Sequence, residues 1–350
     1  MKKLKDERLF FFIREFLTVY LPKQRVCSPN TIKSYKESLN LLFCFLQSEK
    51  SMSPFDVTFE TLNSQMILDF LNWLEYARHC SVSTRNQRFS AIRAFFNYAA
   101  KMEITLVNCQ NEIHKIPAKK NSESAHKVEF LSETALKTIL SEPNTAKLKG
   151  IRDLFYMILL YDSGARNQEL LDLKVKDVDA TTKHAQINVM GKGRKPRSIP
   201  IMDKTASHCI KYLSLFHDSE KDKNQYLFYT IRHGQKQQMS DDNVARFIRL
   251  YAESAKLKCP EIPAKAHPHL FRHTRAMHLY RGGMPLALLA EWLGHAQLET
   301  TLIYAHADTE MKRRAIQKAT APSSPVNIEH EMIKTWKNDE DLLLRLYGLN

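Results

Sequence analysis

Apolar residues recur at helical spacing through most of this chain, and this periodicity restricts the fold more than any other feature. Such segments fill the first hundred residues, and each places apolar side chains on one face, as with Ile67, Phe70, Leu71 and Leu74. Only 9 of the 350 residues are glycine, which argues against a glycine-rich nucleotide-binding architecture. The N-terminal part is therefore predicted to be a unit of four helices.

Changes in composition divide the chain into two predicted domains and a tail. Residues 116–127 carry many charges and few apolar side chains, which is typical of a linker. A helical domain is predicted at residues 1–115 and a second domain at residues 128–322. The tail, residues 323–350, ends in an amphipathic stretch that is expected to dock on a neighbouring protomer; the alternative is that it folds back on its own domain.

The second domain adds a small sheet to the helices. Two short runs, residues 185–190 and 197–202, are predicted to form strands joined by the glycine-containing turn at 191–195. From residue 204 onward the apolar spacing is again mostly helical. The predicted fold class is therefore mainly α with a small antiparallel β-sheet.

The charge balance favours a polyanionic partner. The formal net charge is +14, which bears on association and not on the fold. The six cysteines are scattered without a Cys-x-x-Cys pair, which indicates reduced thiols and neither a disulfide framework nor a zinc site. No apolar run of about 18 residues is present, so no membrane span is predicted and the expected location is the cytoplasm.

Five motifs contain the residues that chemistry on a phosphodiester needs. Near the C-terminal end these are His-Pro-His-Leu-Phe-Arg-His at 267–273, Leu-Gly-His at 293–295 and Thr-Thr-Leu-Ile-Tyr-Ala-His at 300–306. Upstream lie Gly-Ala-Arg-Asn-Gln-Glu-Leu at 164–170 and Gly-Lys-Gly-Arg-Lys at 191–195. Arginine meets two phosphate oxygens with its planar fork, imidazole carries protons near neutral pH, and a phenol can attack phosphorus.

In this order the motifs closely resemble those of the tyrosine recombinase/integrase family, the phage-integrase-like enzymes that break and rejoin DNA through a phosphotyrosine. The resemblance implies an N-terminal four-helix core-binding domain of the SAM-like kind, followed by a tyrosine-recombinase catalytic domain. It also implies a catalytic set, supported by Glu169: Arg166, Lys192, His269, Arg272, His295 and Tyr304.

Three residues of this set are expected to bind the phosphate oxygens. Arg166 and Arg272 would clamp the phosphate, and His295 matches the family's third phosphate-contacting position. Glu169 is expected to be a buried carboxylate that orients Arg166 or a histidine. The alternatives are a purely structural ion pair between Arg166 and Glu169, and a helix-capping role for His295.

The remaining three residues are expected to move protons and to attack phosphorus. Tyr304 is the expected nucleophile, and Lys192 is expected to protonate the departing 5′ oxygen, although Lys195 in the same turn could be confused with it. His269 is expected to handle the tyrosine's proton, because it lies one helical turn before Arg272. Its neighbours in the same motif, His267 and His273, could be mistaken for it.

Further basic residues are expected to contact DNA phosphates outside the reacting centre. The arginines on the polar side of the fourth helix have an alternative role as a plain solvated face. The expected DNA-binding residues are Lys33, Arg85, Arg88, Arg93, Arg194 and Arg197.

The resemblance implies two transesterifications on a double-stranded recombination site, with no ATP, metal or other cofactor. A tetramer on two sites is implied, an accessory DNA-bending protein is a candidate partner, and a nucleoid-associated location is expected. The histidines around 267–273 could suggest zinc, but no cysteine or carboxylate completes a ligand set. The alternatives are DNA relaxation by a type IB topoisomerase-like enzyme, and a relative that binds DNA without cutting it.

Overall fold

A computed structural model describes residues 3–120, 128–180, 184–191, 196–218, 223–295 and 297–307, together with residues 313, 316, 344 and 345. The chain forms two compact units, residues 1–125 and 126–350. Helices dominate the described ranges and small antiparallel sheets complete them, which confirms the predicted fold class. Within those ranges no helix combines the length and apolar character that crossing a bilayer requires.

The first unit is helical throughout its regular elements. The first of the four predicted helices is α-helical only at its start and continues as a π-helix. The fifth α-helix of the unit was not predicted. The elements are α1 (Glu7–Glu15), the π-helix Phe16–Gln24, α2 (Pro29–Lys50), α3 (Ser64–Tyr76), α4 (Val82–Met102) and α5 (Val107–Lys115). Side-chain oxygens of Asp6, Ser28, Asn63 and Ser81 accept backbone N–H groups at the starts of α1 to α4 and fix where they begin.

The apolar faces of these helices meet in an aromatic core. The ring of Phe16 lies 5.6 Å from that of Phe95 and 6.0 Å from that of Tyr35, measured between centroids. Phe45 and Phe70 pack at 5.7 Å. Each buried aromatic stabilises the fold by about 1.5–3 kcal/mol relative to an exposed one, so this core holds the helices in place.

Part of the predicted linker is attached to the first unit. Ile116 is buried, and its carbonyl accepts a hydrogen bond from Arg93. The carbonyl of Lys119 accepts one from Asn86 Nδ2 at 2.8 Å, and the Lys119 ammonium pairs with Glu75. Residues 121–127 of that segment lie outside the described residues.

The second unit places helices around a three-stranded antiparallel sheet and a separate hairpin. Strand β1 and the hairpin β4–β5 had not been predicted, because their short and polar sequences lack a strand-like alternation. The elements are α6 (Glu133–Leu140), α7 (Leu148–Ser163), α8 (Asn167–Leu171), β1 (Val178–Asp179), β2 (Gln186–Met190), β3 (Pro196–Pro200), α9 (Asp203–Phe216), β4 (Tyr229–Arg232), β5 (Gln235–Gln238), α10 (Asp241–Lys256), α11 (Pro268–Arg281), α12 (Leu286–Leu293) and α13 (Glu299–Ala307).

Two apolar clusters hold this unit together. The larger one joins α7, α9, α10 and the sheet, with Tyr156 and Phe228 packed edge to face at 4.6 Å between ring centroids. The smaller one joins α11, α12 and α13 through Met277, Leu289 and Tyr304, among others. The helix that carries Tyr304 is therefore packed against α11 and α12 of the same chain.

Candidate active site

Two helix ends in the second unit direct their free carbonyls at one arginine. Arg272, on α11, is only 4% exposed. Its Nη1 donates to the carbonyl of Gly164 at 2.6 Å and its Nη2 to that of Leu293 at 2.7 Å. These carbonyls belong to the C-terminal ends of α7 and α12, where helices leave acceptors unpaired and carry partial negative charge. The helix ends therefore stabilise the buried guanidinium.

A glycine ends each of these two helices in the left-handed conformation. Gly164 has φ +59° and Gly294 has φ +64°, which glycine adopts without the steric cost of a side chain. The Gly294 carbonyl accepts a hydrogen bond from Arg166 Nη2 at 3.2 Å. A Cβ at position 294 would lie 2.7 Å from Nη1 of Arg197. The Leu-Gly-His motif thus needs glycine both for its turn and for close packing.

A shared carboxylate joins two more arginines to this centre. Glu169 is 6% exposed; its Oε1 accepts from Arg166 Nη1 at 2.9 Å, and its Oε2 accepts the backbone N–H of Arg166 at 2.8 Å. Arg197 donates to both oxygens, with Nη1 at 3.0 Å and Nη2 at 2.7 Å. Glu169 occupies the third position of α8, so the Arg-x-x-Glu spacing both caps the helix and orients the arginine. Burial raises the pKa of Glu169, but the bonds from Arg197 and Arg166 outweigh it and the net shift is downward.

The centre keeps an excess of positive charge. Burial, and then the charge of Arg166, lower the pKa of Arg272 to about 10, which leaves it protonated at neutral pH. Three guanidinium groups, those of Arg166, Arg197 and Arg272, surround one carboxylate, that of Glu169. Such a centre is suited to an oxyanion such as phosphate.

A second set of contacts fixes the turn that precedes Arg166. Arg275 donates from Nη2 to Asp162 Oδ1 at 2.9 Å and from Nε to the Asp162 carbonyl at 3.1 Å. The indole of Trp292 donates to the carbonyl of Ser163 at 3.0 Å. These bonds tie the end of α7 to α11 and α12, so the arginines are held by three helices together.

Tyr304 is buried and contacts His273, not His269, which the sequence predicts to handle its proton. It is 1% exposed, and its Oη lies 2.9 Å from Nδ1 of His273. Burial raises the pKa of Tyr304 to about 12, although the charge of Arg272 acts in the opposite direction. The phenol is therefore protonated at neutral pH, and its use as a nucleophile requires that the proton be removed.

The histidines of the site are neutral at neutral pH. Burial, followed by nearby cationic side chains, lowers the pKa of His273 and of His295 to about 4. The same causes lower the pKa of His269, whose ring centroid is 6.5 Å from that of His273. Nδ1 of His295 lies 2.8 Å from the hydroxyl of Thr301. If that hydroxyl donates, Nε2 of His295 carries the hydrogen and can donate to an anion.

Two residues of the site, His273 and Thr301, had no assigned role. The spacing does contain a signal for His273, because positions 269, 272 and 273 share one face of a helix.

Three predicted residues, Lys192, Arg194 and Lys195, lie outside the described residues. Among the residues that are described, no group of His, Cys, Asp and Glu has an arrangement that could hold a metal ion.

The basic residues predicted to bind DNA in the first unit differ in their exposure. Arg85 was expected on a polar face, and this is wrong: it is 2% exposed, its Nε lies 3.4 Å from Glu75 Oε1, and Nη1 donates to Asn86 at 3.0 Å. Arg88 donates to Cys80 Sγ at 3.0 Å, and Arg93 to the carbonyl of His114 at 3.1 Å.

Lys33 is exposed, with Nζ 4.0 Å from Glu37 Oε1. In the second unit, Arg197, which was also predicted to bind DNA, forms an ion pair with Glu169 in the arginine centre. The burial of Arg85 in an ion pair therefore makes it a structural residue in this conformation, while Lys33 remains open to a polyanion.

Known proteins resemble the chain along most of its length. The phage integrase family model matches residues 129–311, and that of the phage integrase SAM-like domain matches residues 8–116. Tyrosine recombinase XerD of Rickettsia bellii is 30% identical over 321 residues, covering 87% of this chain and 97% of the relative. Tyrosine recombinase XerC of Staphylococcus carnosus is 28% identical over 307 residues, covering 88% and 96%.

Solved structures share the fold. The XerH site-specific recombinase bound to its difH substrate superposes with a TM-score of 0.61, at 21% identity and 89% coverage of each chain. The Tn1549 transposon integrase in complex with transposon right end DNA gives a TM-score of 0.65, at 16% identity, covering 88% of this chain and 99% of that one. The chain belongs to the phage integrase family of tyrosine recombinases.

Proposed function

We propose that this recombinase cuts double-stranded DNA at a specific site and rejoins it through a 3′-phosphotyrosyl intermediate on Tyr304. The observation that carries the proposal lies at residues 293–295. The carbonyls of Leu293 and Gly294 hold Arg272 and Arg166, and His295 follows directly. One turn after α12 therefore gathers three phosphate-binding groups, and the helix that starts four residues later bears the tyrosine.

Each side chain takes one part of the reaction. Arg272 uses one N–H of each terminal nitrogen on a carbonyl, which leaves a second N–H on each for a non-bridging oxygen. Arg166 is 33% exposed at its side chain and supplies a second clamp. Tyr304 attacks phosphorus, a free 5′ hydroxyl leaves, and Lys192 is proposed to protonate it. The 5′ hydroxyl of a partner strand then attacks the phosphotyrosine and restores the DNA bond.

The phosphate must gain access to buried groups. Arg272 and Tyr304 are 4% and 1% exposed, so the scissile phosphate reaches them only after side chains that cover them shift. We expect DNA binding to drive this shift, because a phosphate anion is attracted to the uncompensated guanidinium groups. His269, packed among the same groups, is assigned to the reacting centre as well.

The experiment that tests the proposal is covalent capture of DNA. A pool of duplexes with random sequence carries a single nick, so that a short fragment with a 5′ hydroxyl can diffuse away after cleavage. Protein–DNA adducts that survive denaturation are isolated and sequenced, and the same sequences are offered to Tyr304→Phe. A sequence-selective adduct that depends on Tyr304 supports the proposal. Absence of any adduct, or relaxation of supercoiled plasmid without site preference, contradicts it.

The expected assembly is a tetramer on two DNA sites, with an accessory DNA-bending protein as a candidate partner and the nucleoid as its location. Lys33, Arg88, Arg93 and Arg194 are proposed to hold backbone phosphates around the cut.

Residues 323–350, described only at positions 344 and 345, are proposed to dock on a neighbouring protomer. Truncation after Ala321 should then preserve binding to one half-site and reduce cooperative assembly on paired sites. Normal assembly by the truncated protein would contradict the docking.

A further inference from the structure

His273 contacts the proposed nucleophile, Tyr304, but has no role in the reaction proposed above. His273 lies on α11 directly after Arg272, and its Nδ1 is 2.9 Å from Tyr304 Oη. The two rings are 5.9 Å apart between centroids and tilted by 58°, so they meet through this polar contact and not by stacking. His269, to which the sequence assigns the tyrosine's proton, lies one turn earlier on the same helix.

We infer that His273 takes the phenol proton of Tyr304 during cleavage and returns it during rejoining, an inference that rests on the proposed function. As the bond from Oη to phosphorus forms, the Oη proton passes to Nδ1 of His273. The bond from phosphorus to the 5′ oxygen breaks, and that oxygen takes the proton proposed to come from Lys192. In rejoining, the 5′ hydroxyl attacks phosphorus and returns its proton to the neutral amine of Lys192, the bond to Oη breaks, and His273 returns its proton to Oη.

The surroundings of Tyr304 favour a protein group over water as the acceptor. The side chain is 1% exposed, so bulk water does not reach it in this conformation. Within the described part of the chain, the hydrogen-bond partner of Tyr304 Oη is His273. Nδ1 accepts that proton only if the neutral ring carries its own hydrogen on Nε2.

The charge on His273 is tuned by the groups around it. Burial, followed by the charges of His269, Arg272 and His267, lowers the pKa of His273 to about 4, so the ring is neutral and Nδ1 can accept a proton. A ring of this pKa is a weak base in the free protein. A phosphate placed on Arg272 brings negative charge close to the ring, and such a charge raises the pKa of a histidine. The ring therefore becomes more basic when the substrate is in place.

The test uses single-turnover adduct formation on a nicked duplex obtained by the covalent capture described above. His273→Asn keeps an acceptor oxygen close to the position of Nδ1 but removes the base. Positioned proton transfer contributes roughly 100-fold or more to a rate, so the adduct should form about 100-fold more slowly with unchanged DNA affinity. His273→Gln and His273→Phe are measured alongside, and only variants with wild-type thermal unfolding are compared.

The chain offers a matched control on the same helix. Nδ1 of His278 lies 2.9 Å from the hydroxyl of Tyr161, the same distance as in the pair at the nucleophile. His278→Asn therefore makes the same change at an equivalent histidine–tyrosine hydrogen bond away from the reacting atoms. Its rate of adduct formation should stay within about twofold of wild type, because this histidine has no part in the proton transfer.

A more acidic nucleophile separates proton transfer from simple positioning. Fluorine on the ring of residue 304, introduced as 3-fluorotyrosine, lowers the pKa of the phenol and reduces the need for a base. The defect of His273→Asn should then shrink. A wild-type rate for His273→Asn, or a defect that fluorination leaves unchanged, would show that His273 only holds the phenol in place. An adduct that persists in Tyr304→Phe would instead overturn the proposed function itself.

Discussion

Replacing Gly294 by alanine should cost far more than the strain of one turn. At φ +64° an added Cβ costs about 1–2 kcal/mol in the left-handed region. The same Cβ would lie 2.7 Å from Nη1 and 2.8 Å from Cζ of Arg197, so the guanidinium must shift, which weakens its two hydrogen bonds to Glu169. Hydrogen bonds to charged groups contribute about 1.5–3 kcal/mol each. Because Arg197 is 17% exposed and regains water, we take about 2 kcal/mol for both bonds together.

The expected loss is therefore about 3–4 kcal/mol, and Gly234→Ala is the matched control. Gly234 also has a positive φ, +75°, but nothing lies within 4 Å of the position that its Cβ would take. It should lose only the strain of about 1–2 kcal/mol. For a unit of roughly 200 residues, each kcal/mol lowers the Tm by about 2–4 °C. Calorimetry of the full chain should thus show a shift of roughly 10 °C for Gly294→Ala and roughly 4 °C for the control.

A double-mutant cycle isolates the close approach to Arg197. In an Arg197→Ala background the added methyl has no guanidinium to displace, so Gly294→Ala should cost only the strain found for Gly234→Ala. Adduct formation should fall as well, since the Gly294 carbonyl also holds Arg166. Equal Tm shifts for Gly294→Ala and Gly234→Ala, or full additivity with Arg197→Ala, would refute the packing argument.

Three further outcomes are expected. Tyr304→Phe should bind DNA in a mobility-shift assay with wild-type affinity and form no adduct on a denaturing gel, because only the nucleophilic oxygen is lost. Lys192→Ala should cleave slowly, and a substrate with sulfur at the 5′ bridging position should restore its rate; no restoration would point to Lys195 as the acid. Acid should destabilise the protein between about pH 6.5 and pH 4, because unfolded histidine protonates near 6.5 whereas burial lowers the pKa of His273 and His295 to about 4. The unfolded chain binds more protons in that window, so the urea midpoint should decrease as the pH is lowered from about 6.5 to about 4. A pH dependence of the urea midpoint that is unchanged in His295→Gln would contradict the assignment.

The sequence alone predicted the helical fold class and the candidate reactive residues. It did not predict which of these side chains contact one another. Arg85 illustrates the limit: its position on α4 suggested a polar face, yet its partner Glu75 lies on α3, and only the packing of the two helices buries the pair. The choice between His269 and His273 has the same origin. Both lie on one face of α11, and the docking of α13 decides which of them meets Tyr304.

The way the arginines are held bears directly on what they can bind. Both hydrogen bonds described for Arg272 go to main-chain carbonyls, which carry partial charges and remove none of its formal charge. A carboxylate in that place would compete with a phosphate for the guanidinium. Glu169 is instead engaged through both oxygens by Arg197, and it meets the side chain of Arg166 through one nitrogen. The helix ends of α7 and α12 therefore keep a charged arginine rigid and ready for the anion, which is the arrangement that stabilises charge without reorganisation during the reaction.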